Sequence, residues 1–109
     1  MLKDGSTEAI RLEGKKLQEA NELQWEAMLE RALKCLNKTQ DDIDASLKSD
    51  DWKVWIAYTM RQKTAAPNVW IASKLNMGAP QAVSMHTGKF ARKTVKDSGF
   101  REFILRFTE

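Results

Sequence analysis

The side chains best suited to bind another molecule lie in the second half of the sequence. Gln81 can hydrogen-bond an adenine edge through both ends of its amide, and Ser84 can reach a base edge or a phosphate. Met85 offers apolar contact, for example with the methyl group of thymine. Ser73 and Lys74 are candidates for contacts with a nucleic-acid backbone. Four further basic residues suit phosphates: Lys89, Arg92, Lys93 and Lys96.

Catalytic or metal-binding chemistry has few candidates in this sequence. His86 is the only histidine, Tyr58 the only tyrosine and Cys35 the only cysteine. We find no histidine pair, no zinc-ligand set, no Ser-His-Asp arrangement and no glycine-rich phosphate loop. Tyr58 is expected to pack in the core, and Cys35 to be a buried small apolar residue. The sequence therefore predicts a binding protein rather than an enzyme, with no cofactor and no small-molecule substrate.

Charge is distributed unevenly along the 109-residue chain, although the net charge is only +3. Residues 1–51 contain eight Lys and Arg against twelve Asp and Glu, a balance of −4. Residues 52–109 contain ten against three, a balance of +7. Such asymmetry indicates one half that faces a polyanion and another that faces solvent or a partner. The alternative is that the two halves neutralise each other within the fold.

The composition predicts a folded cytoplasmic protein. Hydrophobic residues make up 42% of the chain, which is enough to bury a core, and the length is typical of one domain. No run of about 18 apolar residues exists to span a membrane, and the N-terminal residues do not resemble a signal peptide. The single cysteine excludes an intramolecular disulfide.

The candidate binding residues need a rigid pair of helices to carry them, and the sequence predicts one. Ile71 and Leu75 lie four residues apart on one face of a first short helix. Asn76 and Gly78 follow, and both residue types tolerate a positive φ, so we expect one of them to have it. Pro80 suits the first turn of a second helix. This pattern of short helix, tight turn and second helix is typical of a helix-turn-helix.

The second helix, at about residues 79–92, is the predicted recognition helix, which in DNA-binding proteins enters the major groove. If Val83, Phe90 and either His86 or Thr87 face the core, the outward-facing residues are Gln81, Ser84, Met85 and Lys89. A plain helical hairpin within a bundle is the alternative. The spacing of eight residues from Leu75 to Val83 makes the turn one residue longer than in the common motif.

The remaining segments predict a scaffold of further helices. We expect a long helix over residues 6–36, then a short one capped by Thr39 with Ile43 and Leu47 as its apolar face. A central helix follows at 51–63, capped by Ser49 and Asp50. Next come a turn at residues 97–99 and a last amphipathic helix, although the alternation of Phe103, Leu105 and Phe107 also permits a strand.

Together these elements predict an all-α fold, a small helical bundle of about five to six helices containing a helix-turn-helix. Residues 1–24 form an N-terminal helical arm and residues 25–109 the helix-turn-helix domain. The apolar stripe of the arm is sparse, so it is expected to project, to fray or to pack on a second copy.

Several short runs share an order found in a known family. Residues 36–43 read LNKTQDDI, 53–57 read KVWIA, 70–78 read WIASKLNMG and 83–84 read VS. This order resembles the C-terminal region of bacterial REP-associated tyrosine transposase-like proteins, which are single-tyrosine HUH enzymes. The resemblance covers roughly residues 25–83, and its most specific part is W-I-A-x-x-L-x-M-G followed by V-S.

In that family the C-terminal region follows the catalytic domain and is taken to be a helix-turn-helix extension that binds DNA. The present sequence lacks the catalytic domain with its paired histidines. The resemblance therefore implies a DNA-binding module, either cut from a longer protein or standing alone, and does not imply transposase chemistry.

The sequence thus predicts a helix-turn-helix module of a transposase-related bacterial protein whose partner is double-stranded DNA. The alternative is a helical protein-interaction or dimerisation module with no nucleic-acid role. In that case the acidic N-terminal helix binds a partner or forms a homodimer. The two hypotheses differ in whether Gln81, Ser84 and Lys89 line one exposed basic face or pack against the rest of the chain.

Overall fold

Helices account for most of residues 21–108, the part of the chain that the computed structural model describes. They are α1, described over residues 21–36, α2 (Gln40–Ala45), α3 (Asp51–Lys63), α4 (Asn68–Leu75), α5 (Pro80–Phe90) and α6 (Ser98–Phe107). No strand occurs within residues 21–108, so the predicted all-α bundle is confirmed and the strand alternative near residue 105 is wrong. No helix in this range is long and apolar enough to cross a membrane.

Helix α1 joins the bundle from Trp25 onward. The Trp25 ring meets the ring of Trp70 in α4 edge-on, with centroids 5.5 Å apart, and Leu29 and Ala32 are buried. Arg31 fixes the same helix to the end of α6, because its guanidinium donates to the carbonyl of Phe107 at 2.6 Å and lies 4.6 Å from that ring. Most of the predicted arm, together with helix residues 6–20, lies outside the described residues.

Helix α2 begins with the predicted Thr39 cap. The Thr39 hydroxyl accepts from the backbone N–H of Asp42, while the Asp42 carboxylate accepts from the backbone N–H of Thr39 at 2.8 Å. The hydrogen bond from the Thr39 backbone, followed by one that the Thr39 hydroxyl donates to the Asp42 carboxylate, holds the pKa of Asp42 below its ordinary value. Ile43 is buried as expected, but Leu47 is exposed, because α2 ends at Ala45 and no longer controls which way Leu47 points.

Helix α3 is the centre of the bundle and spans the predicted residues. Ile56, Ala57 and Met60 are buried completely or almost completely, and Tyr58 packs edge-on against aromatic rings of α5 and α6. The expected cap from Asp50 is not observed, since its side chain makes no hydrogen bond to the helix N-terminus. Cys35 packs against this core but is half-buried rather than buried.

One lysine of α3 is buried in the bundle, although lysine side chains are ordinarily exposed. Lys53 is 0% exposed, and its Nζ donates to the carbonyls of Ile43 at 2.7 Å and Ser46 at 3.5 Å. These carbonyls lie at the C-terminal end of α2, where helix geometry provides no partner and where a positive charge suits the helix dipole. Burial lowers the pKa of Lys53, while the carboxylates of Asp50 and Asp44 oppose that shift.

Helix α6 is fixed at its start by Asp97. One carboxylate oxygen accepts from the backbone N–H of Phe100 at 3.0 Å and the other from the indole of Trp55 at 3.3 Å. The predicted turn at residues 97–99 is therefore wrong in part, because only Asp97 precedes the helix and Gly99 lies in its first turn. A Cβ on Gly99 would lie 2.7 Å from Trp55, so this close approach requires glycine.

We predict that Lys53→Met lowers the free energy of unfolding by roughly 1–3 kcal/mol, because buried carbonyls at the end of α2 would be left without their donor. Raising the pH from neutrality toward the ordinary lysine pKa of 10.5 should widen the difference in stability between wild type and variant. The reason is that the unfolded lysine holds its proton more tightly than the folded one, so proton loss favours the folded state. Urea denaturation at several pH values measures both effects.

The matched control is Lys63→Met, which changes an exposed lysine of the same helix. It should leave stability nearly unchanged. Equal stability of the two variants at every pH would contradict the structural role of Lys53.

Candidate nucleic-acid interface

The connection between α4 and α5 turns sharply within residues 76–79. Asn76 has φ 51° and ψ 53°, the left-handed conformation common at helix C-termini, and Gly78 has φ 90°. We expected one of these residues to have a positive φ, and both have it. Leu75 and Met77 are buried on either side of Asn76, so the turn is anchored by apolar contacts as well as by its backbone.

One face of α5 packs against α3 and α4. Val83 is fully buried, and Thr87 and Phe90 follow on the same side of the helix. The Thr87 hydroxyl donates to the Val83 carbonyl at 2.7 Å and accepts from Arg61 of α3 at 2.6 Å, so this buried polar group is satisfied. Of the two predicted alternatives, Thr87 faces the core, while His86 is half-buried.

The opposite face of α5 is exposed and carries the predicted candidates. Met85 is 50% exposed even though it is apolar. All nine predicted contact residues are exposed: Ser73, Lys74, Gln81, Ser84, Met85, Lys89, Arg92, Lys93 and Lys96. The structure thus places four of them together on the outer face of α5, two on α4 and three in the segment after α5.

The basic segment after α5 is a series of tight turns rather than a continuation of the helix. Helix α5 ends at Phe90, two residues before the predicted end. Backbone hydrogen bonds from Lys93 to Phe90 at 2.8 Å and from Lys96 to Lys93 at 3.0 Å then hold the chain. Arg92, Lys93 and Lys96 line an open hollow together with residues 97–98 at the start of α6. The side chain of Asp97 is already engaged as the α6 cap.

The stretch of sequence between Asp51 and Asp97, which includes α4, α5 and the turns that follow, contains no acidic residue. Apart from buried Lys53, every lysine and arginine in that interval is exposed. The outer surface formed by α4, α5 and the turns that follow therefore carries an excess of positive charge, and Asp51 and Asp97 line one hollow with Lys89 and Lys93. Lys74 is paired with an acid of another helix, since its Nζ lies 3.5 Å from the carboxylate of Glu26 in α1.

Two contacts at this surface could not be predicted from local patterns in the sequence. The ion pair of Glu26 with Lys74 joins residues 48 positions apart, and Arg61 reaches Thr87 across 26 positions. Neither spacing belongs to a local motif. No cluster of three His, Cys, Asp or Glu residues that could hold a metal ion occurs within residues 21–108.

Comparison with known proteins does not place the chain in a family. It matches no protein-family model, no curated protein and no solved structure.

We predict that Gly78→Ala destabilises the protein by about 1–2 kcal/mol, because an alanine resists a φ of 90°. The new Cβ would lie 3.5 Å from the Lys48 side chain, an ordinary contact, so strain in the backbone is the expected cause. Gly88→Ala is the matched control, since it adds a methyl group in open space within α5. It should stabilise the protein by about 0.5–1 kcal/mol.

Thermal or urea unfolding of the two variants measures these opposite effects. If Gly78→Ala were as stable as wild type, the positive φ assigned to the turn would be incorrect.

Proposed function

We propose that this chain is a DNA-binding module in which α5 enters the major groove of a duplex. The observation that supports it is the division of α5 into two faces. Val83 and Thr87 are buried against the rest of the bundle, while Gln81, Ser84 and Met85 are exposed together. In this proposal α3, α4 and α5 form a helix-turn-helix core, with α4 and α5 as its two motif helices.

The dimensions of α5 suit this role. Its 11 residues give a length of about 16 Å, and the major groove, about 12 Å wide, admits one helix. Recognition helices contact base edges with residues near their N-terminus, which is where Gln81 and Ser84 lie. Gln81 would read adenine through its amide, Ser84 would reach a base edge or a phosphate, and Met85 would contact a thymine methyl group.

The exposed basic residues would supply most of the affinity. Lys89, Arg92, Lys93 and Lys96 would bind phosphates flanking the groove, and Ser73 would contact the backbone from α4. Binding of this kind is tight at low salt and releases counterions. The protein would then be a cytoplasmic DNA-binding protein, and its resemblance to the C-terminal region of REP-associated tyrosine transposase-like proteins implies that it is bacterial and transposase-related.

A second candidate function is self-association or partner binding through α1, and the acidic balance of −4 in residues 1–51 favours it. Leu23 of this helix is 67% exposed, but a single exposed leucine is ordinary on a protein surface. This role would make the apparent mass depend on protein concentration and would not depend on DNA.

We predict that the protein binds duplex DNA with an affinity that falls as salt rises. The slope of log K against log[salt] should be about −0.9 for each phosphate that the protein neutralises. Replacing Lys89 and Arg92 together by alanine should weaken binding, and should flatten the slope by about 0.9 for each phosphate that is no longer neutralised. Fluorescence anisotropy of a labelled duplex at several salt concentrations measures both quantities.

The control removes the same number and kind of charges from α1 and α6, by Lys34→Ala with Arg101→Ala, both exposed residues. It should change the slope much less. Absence of binding at low salt, or equal effects of the two double variants, would argue against the proposed surface.

A further inference from the structure

We propose that Glu26 is a positioning residue that holds Lys74 away from DNA, so that α1 forms an acidic border to the basic surface. This inference rests on the DNA-binding function proposed above. It assigns opposite roles to two exposed lysines of that surface. Lys89 is available to bind a phosphate, whereas Lys74 is engaged within the protein.

Lys74 is held from two sides. Its Nζ lies 3.5 Å from the Glu26 carboxylate and 5.7 Å from the centre of the Trp70 ring. The Trp70 ring packs edge-on against Trp25, which is the residue next to Glu26 in α1. The tryptophan pair therefore keeps α1 beside α4 and keeps the carboxylate within reach of the ammonium.

In the proposed helix-turn-helix, α4 is the helix that crosses the DNA backbone, so Lys74 would lie near a phosphate. Lys74 is in the last turn of α4, and α5 begins after the short connection at residues 76–79, so Lys74 is close in the chain to Gln81. Both members of the pair are about half exposed, at 43% for Lys74 and 54% for Glu26. A phosphate that approached Lys74 would therefore also approach the Glu26 carboxylate and be repelled by it.

The acidic character of this border extends along α1. Glu22, Glu26 and Glu30 follow one another at intervals of four residues, and all three are exposed. Glu30 pairs with Lys34 of the same helix at 3.7 Å rather than with the basic surface. Glu30 therefore provides a matched control, since it is a glutamate of α1 whose partner has no proposed contact with DNA.

The experiment compares Glu26→Gln with Glu30→Gln in binding to one labelled duplex over a range of salt concentrations. Glu26→Gln should bind about two- to fivefold more tightly, the range that an exposed ion pair allows. Its salt slope should be steeper by about 0.9, because Lys74 then binds a phosphate. Glu30→Gln should leave the slope unchanged and raise affinity less.

Lys74→Met, made in the wild type and in Glu26→Gln, tests whether the effect of Glu26 depends on Lys74. Lys74→Met alone should leave the salt slope of the wild type unchanged, because Lys74 binds no phosphate there, and should weaken binding only slightly, through the Glu26 carboxylate that is left unpaired. In the Glu26→Gln background the same substitution should remove the whole increase in affinity and restore the original slope. A merely structural role of Glu26 would not produce this dependence on Lys74.

The outcomes separate this inference from the function on which it rests. If wild-type protein binds DNA and the two glutamine variants behave alike, the positioning role is wrong while DNA binding stands. A slope flatter by about 0.9 in Lys74→Met alone would overturn it as well, since Lys74 would then already contact a phosphate. If the wild type does not bind duplex DNA even at low salt, both proposals fail.

Discussion

The burial of one side of α5 is the constraint on which the proposed interface depends. Successive residues of a helix point about 100° apart, so placing Val83, Thr87 and Phe90 inward leaves Gln81 and Ser84 no direction but outward. Thr87 is polar, and burial of a hydroxyl without a hydrogen-bond partner would oppose such packing. Here Arg61 of α3 donates to the Thr87 hydroxyl, which in turn donates to the α5 backbone, and this keeps the buried group satisfied.

Helix α3 can serve as the support for α5 because α2 and α6 are tied to it by specific polar contacts. Lys53 completes the end of α2, and Trp55 donates to the residue that caps α6. Burying an ammonium group is costly, and the carbonyls of α2 together with nearby Asp50 and Asp44 offset that cost. The framework that orients the exposed face of α5 therefore combines an apolar core with a few fully satisfied polar groups.

Local patterns in the sequence predicted the order of the described helices and the turn between α4 and α5, but not every helix end. The predicted bounds of α3 are confirmed although the Asp50 cap expected at its start is not observed, and Asn76 and Gly78 marked the positive φ angles because few other residues adopt them. Contacts between distant segments left no local pattern. Lys53 resembled an exposed charge by residue type, Asp97 was assigned to a turn, and the pairing of Lys74 with Glu26 depends on how α1 packs. The exposure of the candidate residues on α5 was predictable from helical periodicity, whereas the neutralisation of Lys74 by Glu26 was not.

The most direct test of DNA binding through α5 is a titration of isotopically labelled protein with duplex DNA, followed residue by residue through backbone amide resonances. If α5 is the recognition helix, shifts should concentrate on its exposed positions, including Gln81, Ser84 and Lys89, and on residues 92–96. Amides of α2 and of the exposed side of α6 should stay in place. Shifts confined to α1, or a spectrum unchanged by DNA at low salt, would contradict this role of α5.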